Sequence, residues 1–293
     1  MVEDVAAALR VHEDTARFAA ALNFTAASSG FTARLVEKDY FCTLLLHDLV
    51  TPESGLVFKG GTCLSKVHGE FYRLSEDLDF TIPVHAGSSR PSRRARVHAL
   101  KQALATIETR VARVHVREGL TGANQSTQYV ANLAYESVLR RTEETVKLEV
   151  GLREPLLMPV VRGWAKTLLL DPVSGEALVP DLEVASLSRD EAMAEKLRAA
   201  LTRREVAIRD FFDIDHAVRR LGLDLGDAVL LGLVGQKLAV PGNPPPDVSA
   251  ARLEALRGQV RGELAPVLRP RDFAAFDLDR AWATVAGVAA ALA

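Results

Sequence analysis

Residues 56–83 read LVFKGGTCLSKVHGEFYRLSEDLDFTIP, and the fold is decided there. Leu56, Val57 and Phe58 form a short apolar run without helical spacing, which predicts a buried strand. The run meets Lys59-Gly60-Gly61-Thr62, where paired glycines allow a tight turn and let a ligand approach the backbone. Thr62 is placed to N-cap a helix reaching about Gly69, whose exposed N–H groups and dipole favour an anion. Past Arg73-Leu74-Ser75-Glu76 a second strand follows over residues 77–82, ended by Pro83. Alternation along a strand puts Asp77 and Asp79 on one face, Leu78 and Phe80 on the other. Two carboxylates side by side repel each other. A hard divalent cation such as Mg²⁺ relieves that repulsion and keeps positions open for phosphate oxygens. A glycine turn opening a helix, then a strand with Asp-x-Asp, therefore describes a nucleoside triphosphate site, with the turn holding phosphates and the aspartates holding metal.

At 293 residues the chain can make one large domain or two ordinary ones, and it can bury a core. Hydrophobic residues at 48% and charged residues at 25% are ordinary for a soluble globular protein. Lys plus Arg number 36 against 38 Asp plus Glu, so any nucleic-acid contact must come from a local patch. The two cysteines, Cys42 and Cys63, have neither metal-ligand spacing nor partners for a disulfide framework, and read as buried free thiols. The N-terminus, MVEDVAAALRVHED, carries charges where a signal peptide needs an apolar core. No apolar stretch reaches the length of a membrane span, so the expected location is the cytoplasm, with no membrane partner.

Upstream, residues 3–25 have helical spacing, and a second, amphipathic helix starts after Ser28-Ser29-Gly30 and runs to Leu49. Its Glu37-Lys38-Asp39-Tyr40 string reads either as a salt-bridged helix face or as a substrate contact. Residues 86–92 are a loop by composition. A long helix then runs to about Val114, with Arg93, Arg94, Arg96 and Lys101 at its start. That cluster is a solvated basic face or an RNA phosphate contact; basic charge near a helix N-terminus opposes the dipole. Residues 128–138 and 144–152 read as strands, and in the second Lys147 and Glu149 share the polar face opposite Leu148 and Val150.

After Pro172 and Gly175 the pattern turns helical. Ser188 is placed as an N-cap with Glu191 at the capping-box position, and the helix carries Glu195-Lys196 to Arg203-Arg204. Arg209-Asp210-Phe211-Phe212-Asp213 opens another helix. Residues 216–293 alternate helices with one break, Pro241-Gly242-Asn243-Pro244-Pro245-Pro246, and the seven histidines show no metal spacing.

The order of these strings resembles the nucleotidyltransferase superfamily, whose signature is Gly-Gly/Ser followed by Asp-x-Asp/Glu. The finer pattern, Lys59-Gly60-Gly61-Thr62-x-Leu64-x-Lys66 and then Arg73-x-Ser75-x-Asp77-x-Asp79, resembles the AbiEii/AbiGii toxin family, which includes MenT-type toxins of bacterial toxin–antitoxin pairs. The downstream Lys196 and Arg209-Asp210-(aromatic)-Asp213 match that family in the same order. The resemblance implies an α+β fold: a nucleotidyltransferase-like mixed sheet flanked by helices, then a mainly helical C-terminal domain. Expected boundaries are 1–180 and 181–293, with the second domain completing the active site.

The implied catalytic set is Asp77, Asp79, Glu149, Lys196 and Asp213, with one or two Mg²⁺ ions on Asp77, Asp79 and Glu149. Glu149 enters as the third carboxylate of the family; the other reading makes it an ion-pair partner of Lys147 or an arginine. Lys59, Gly60, Gly61, Thr62, Lys66, Arg73 and Ser75 are the implied nucleotide contacts, although Ser75 can equally cap a turn. Asp210 reads as part of a structural ion-pair network. The co-substrate is an NTP, the implied acceptor is the 3′ end of tRNA, and an antitoxin is the implied protein partner. Arg93, Arg94, Arg96 and Lys101, with Tyr129 and Tyr135, are compatible with a bound RNA end. Two other functions fit the same strings: nucleotide transfer to a small molecule or protein, and a silent module that binds RNA or antitoxin.

Overall fold

Asp14 starts the first long helix, α1 (Thr15–Ser29), by accepting hydrogen bonds from the amides of Ala16 and Arg17. Gly30, at φ 80°, ends it in the left-handed conformation that glycine tolerates. The computed structural model describes residues 8–51, 54–85 and 87–293 and divides the chain into two compact units, Met1–Leu187 and Ser188–Ala293. The start of the helix expected over residues 3–25 lies outside the described residues; the rest is a short 3₁₀ turn, Val11–Glu13, and then α1.

In the first unit α2 (Ala33–Leu49), with Thr32 as N-cap, is buried along almost its whole length. It is a core helix, not a half-solvated one. A seven-stranded mixed sheet occupies the same unit, formed by β1 (Val57–Lys59), β2 (Leu78–Thr81), β3 (Val114–Ala123), β4 (Gln128–Glu136), β5 (Glu143–Gly151), β6 (Val161–Ala165) and β7 (Leu182–Ser186). Its order is β3-β4-β5-β2-β1-β7-β6, with β2–β5 and β1–β7 parallel and the other pairs antiparallel.

Alternation sorts the β4 side chains: Tyr129, Ala131, Leu133 and Tyr135 are buried while Gln128, Val130 and Asn132 are partly open. Tyr135 stacks on Phe41 of α2 at 3.9 Å between centroids, and Phe58 meets Phe80 across β1 and β2 at 5.4 Å. Full burial of each such ring is worth about 1.5–3 kcal/mol, so this face holds the sheet against α2.

Several local expectations need correction. The helix after the glycine turn starts at Gly60, as α3 (Gly60–Cys63), and widens into a π-helical turn, Leu64–His68. Its N-cap is Lys59, without a side-chain cap bond; Thr62 lies inside the helix. The long helix expected up to Val114 is two short ones, α4 (Arg90–Arg96) and α5 (His98–Ala105). Ser89 caps α4 and Pro91 sits in its first turn, so the helix claims residues that composition assigns to a loop. Strands β3 and β6 are the two edges of the sheet. Both carry exposed polar residues and glycines, which hide them from a search for apolar alternation.

The second unit is helical: α6 (Arg189–Thr202), α7 (Ile208–Arg220), α8 (Ala228–Leu238), α9 (Ala250–Gln259), α10 (Pro270–Ala274) and α11 (Leu278–Ala291). Ser188 caps α6 by accepting from the Glu191 amide at 3.2 Å, as expected. The Glu191 carboxylate pairs with Lys237 of α8 at 2.8 Å.

Candidate active site

Strand register builds the centre of the first unit. Lys59 pairs with Asp79 across the antiparallel β1–β2 ladder, and Asp79 pairs with Glu149 across the parallel β2–β5 ladder. Laterally paired residues point to the same face, so Lys59, Asp79 and Glu149 form one row across three strands. Asp77, two residues before Asp79, joins that face at the mouth of β2. All four side chains are partly open to solvent.

The glycines are required here for contact and for conformation. Gly60 has φ +74°, and a Cβ on it would come 2.2 Å from Asp79 Oδ2. A Cβ on Gly61 would come 2.5 Å from Arg73 Nη2 and 3.0 Å from Ser75 Oγ. The turn thus lies directly against the carboxylate of Asp79 and the side chains of Arg73 and Ser75.

Glu149 is held from two sides. Gln128 Nε2 donates to Oε1 at 2.8 Å and Lys147 Nζ donates to Oε2 at 2.8 Å. Burial pushes the Glu149 carboxyl up, but the hydrogen bond and charge of Lys147, then Gln128 and Lys59, hold it below its usual value. Lys147 is itself pulled down by burial and lifted above its usual value by Glu149, Asp79 and Asp77. The ion-pair reading of Glu149 is therefore the one observed, with Lys147 as its partner, and the strand register sets it beside Asp79. Gln128 is the site residue that sequence reasoning missed, since only the β4–β5 register places it beside Glu149.

Among the described residues no group of three or more His, Cys, Asp or Glu stands close enough to hold a metal ion. The donor set on this face is nonetheless all carboxylate, which fits a hard cation and not a soft one. Asp77 and Asp79 supply it, and the oxygens of Glu149 are turned to Gln128 and Lys147.

Three expected nucleotide contacts are used internally. Thr62 is buried, and its hydroxyl donates to the carbonyl of Asp77, fixing the start of β2. Arg73 is buried, with Nη1 donating to the Leu74 carbonyl at 3.1 Å. Lys66 is fully buried: its ammonium meets Asp39 at 2.8 Å, Thr43 Oγ1 at 2.8 Å and the Lys166 carbonyl at 3.3 Å, which leaves no proton for a phosphate.

The Glu37–Tyr40 string is neither a solvated salt-bridged face nor exposed to a substrate. Glu37 accepts from Ser137 Oγ and from the Val138 amide, both at 2.6 Å, Lys38 donates to the Thr145 carbonyl, and Tyr40 meets His12 Nδ1 at 2.8 Å. Each residue ties α2 to a different part of the unit.

The basic cluster also separates. Arg93 donates to the carbonyls of Ser126 (3.1 Å), Gln125 (2.9 Å) and Ser88, and Arg96 to that of Pro83 at 3.0 Å. Arg94 and Lys101 are exposed. Tyr129 and Tyr135 are buried in the core, so neither ring offers a stacking surface for a base.

In the helical unit Lys196 Nζ lies 2.6 Å from Asp210 Oδ1 and 3.0 Å from Asp213 Oδ2, and Arg203 lies 3.4 Å from Asp210. The two aspartates are buried and share the Lys196 ammonium. Burial raises the Asp210 carboxyl; Lys196 and Arg203 outweigh it and hold the group low.

A family model described as nucleotidyl transferase AbiEii toxin, type IV TA system, matches residues 43–284. The chain is similar in structure to MenT4, a nucleotidyltransferase toxin from Mycobacterium tuberculosis, with a TM-score of 0.49, 21% identity, and 89% of this chain and 92% of that one covered. It is also similar to JHP933 from Helicobacter pylori, with a TM-score of 0.45, 17% identity and 88% of each chain covered. No curated protein matches the sequence.

Proposed function

The chain belongs to the AbiEii nucleotidyltransferase toxin family of type IV toxin–antitoxin systems, and on that premise we propose that it transfers a nucleoside monophosphate from an NTP to the 3′ end of tRNA. The observation that carries the reading is the fit of Gly60 against Asp79, in a row with Lys59 and Glu149. That row puts a backbone with no side chain, a positive charge and carboxylates on one face, as a triphosphate needs.

In this reading Gly60 and Gly61 let the phosphates approach the main chain, and Lys59 answers charge on the tail. A Mg²⁺ ion held by Asp77 and Asp79, with Glu149 beside them, would supply neutralisation of phosphate charge and a more acidic acceptor hydroxyl. Glu149, kept ionised by Lys147, takes up the hydroxyl proton. The acceptor oxygen bonds to the α-phosphorus, the bond to the β-phosphate bridge breaks, and pyrophosphate departs in line. Arg94 and Lys101 would contact RNA phosphates; Arg93 and Arg96, with guanidinium protons on carbonyls, contribute less. Nucleotides added to the tRNA end would block aminoacylation and halt translation. Among the described residues no helix is long and apolar enough to cross a membrane.

Incubation of the purified protein with Mg²⁺, total tRNA and each α-labelled NTP in turn tests this. Label on tRNA is expected, and it names the nucleotide. Label found only on a small molecule or on protein would reassign the acceptor while keeping the transfer.

A further inference from the structure

Lys66 and Asp39 lie on different elements of the first unit, and no described role uses them. Lys66 sits in the π-helical turn that continues the glycine-turn helix, and Asp39 sits in α2. The two side chains are 0% and 2% exposed and 2.8 Å apart. The ammonium also donates to Thr43 Oγ1 at 2.8 Å and to the Lys166 carbonyl at 3.3 Å, and lies 5.2 Å from the centre of the Phe71 ring. The Lys166 amide in turn donates to the Lys66 carbonyl at 3.0 Å. One buried cation thereby joins α2, the segment after β6 and the helix that begins at Gly60.

The backbone just beyond is unusual. Glu70 and Phe71 have φ of 52° and 57°, a left-handed conformation that non-glycine residues rarely adopt. Such strain persists only where the surroundings over-determine it, and it gathers at ligand clamps. The Phe71 amide donates to the Ser65 carbonyl at 2.9 Å, so the strained corner closes directly on the turn that carries Lys66. π-helical turns are likewise enriched at functional sites.

We propose that the buried Lys66–Asp39 pair is the positioning element of the triphosphate turn, anchoring α3 so that Gly60 and Gly61 keep their places against Asp79 and Arg73. This rests on the reading of Gly60-Gly61 as the phosphate turn. Lys66 does not touch the nucleotide. It acts through the backbone it holds, and the match of Lys66 to the string Lys-Gly-Gly-Thr-x-Leu-x-Lys follows from that anchoring.

The test measures the binding of fluorescent derivatives of the four NTPs, with Mg²⁺, to the full chain, alongside a thermal melt of each variant. Asp39→Asn is expected to weaken nucleotide binding about ten- to a hundredfold, the scale on which small misplacements act. KM for the NTP should rise with kcat at saturation nearly unchanged. Asp39→Leu with Lys66→Met removes the buried charges together; it should recover the melt and still bind nucleotide weakly. Recovery of both would make the pair simple core filling and overturn the inference. So would wild-type nucleotide affinity in a folded Asp39→Asn chain, while loss in Gly60→Ala keeps the phosphate turn itself in place. Failure of the parent to bind any NTP would overturn the turn and the anchor together.

Discussion

Two acidic pairs in this chain look alike on paper and behave in opposite ways. Asp77 and Asp79 are two apart on a strand; Asp210 and Asp213 are three apart on a helix; both spacings put the carboxylates on one face. The strand pair is partly open, and Gly60 lies so close to Asp79 that a Cβ there would meet its Oδ2. The helix pair is buried and answered by Lys196, with Arg203 added at Asp210. Spacing reports only that two charges share a side. Packing reports whether the fold closes over them or keeps them open to solvent.

The largest effect should come from the open pair. Asp77→Asn and Asp79→Asn are expected to lower transfer by a thousandfold or more, on the order of 4 kcal/mol of lost transition-state stabilisation. The melting temperature should stay near that of the parent, because neither side chain is core packing. A fold that collapsed on Asp79→Asn would erase the contrast with the helix pair.

The buried pair should show the reverse. Lys196→Met leaves Asp210 and Asp213 without their shared cation, and breaking a buried pair this way costs about 3–5 kcal/mol. A denaturant melt of the full chain reads it directly. Lys196 can still be a functional residue, since the family order implies one, but a variant that kept full stability while losing activity would show that the aspartates are answered elsewhere. Arg203, exposed and at 3.4 Å, should matter far less.

Lys147 sharpens the contrast from within the open site, where it pairs with the carboxylate of Glu149. The Glu149 carboxyl is held below its usual value in the folded chain. Its contribution to stability is therefore present above the unfolded-state value and lost as pH falls through the lower folded one. Lys147→Met should bring that loss to higher pH on the acid limb. The size is about 0.2–1 kcal/mol, as for a partly exposed pair. Equal acid limbs for the two proteins would mean that Gln128 and Lys59 hold Glu149 ionised without Lys147.

What could be read in advance follows the same division. The glycine turn, Asp-x-Asp and the two strands β4 and β5 were legible because each is a local pattern whose period is set by backbone geometry. Ser188 as a cap was legible for the same reason. The pairing of Asp79 with Glu149 was legible only as a family expectation, since register across a parallel ladder depends on contacts seventy residues apart in sequence. Lys66 and Thr62 were misread because a motif marks that a residue matters and not which way its polar atom points. Tyr129 and Tyr135 were misread likewise: an aromatic ring on a strand is as fit for a core as for a base, and the face that α2 covers decides.

The smallest effect separates two adjacent arginines. Arg93 gives its guanidinium to the carbonyls of Ser88, Gln125 and Ser126, which joins α4 to the β3–β4 connection. Arg94 is exposed on the same short helix. Arg94→Ala should leave the melt within about 0.5 kcal/mol of the parent. Its signature is in salt: if Arg94 neutralises one RNA phosphate, the slope of log affinity against log salt should fall by about one. Arg93→Ala should lower the melt and leave that slope alone. A slope that moved only with Arg93 would transfer the RNA contact to the internally bonded arginine, and exposure would no longer distinguish which charges this fold offers to a partner.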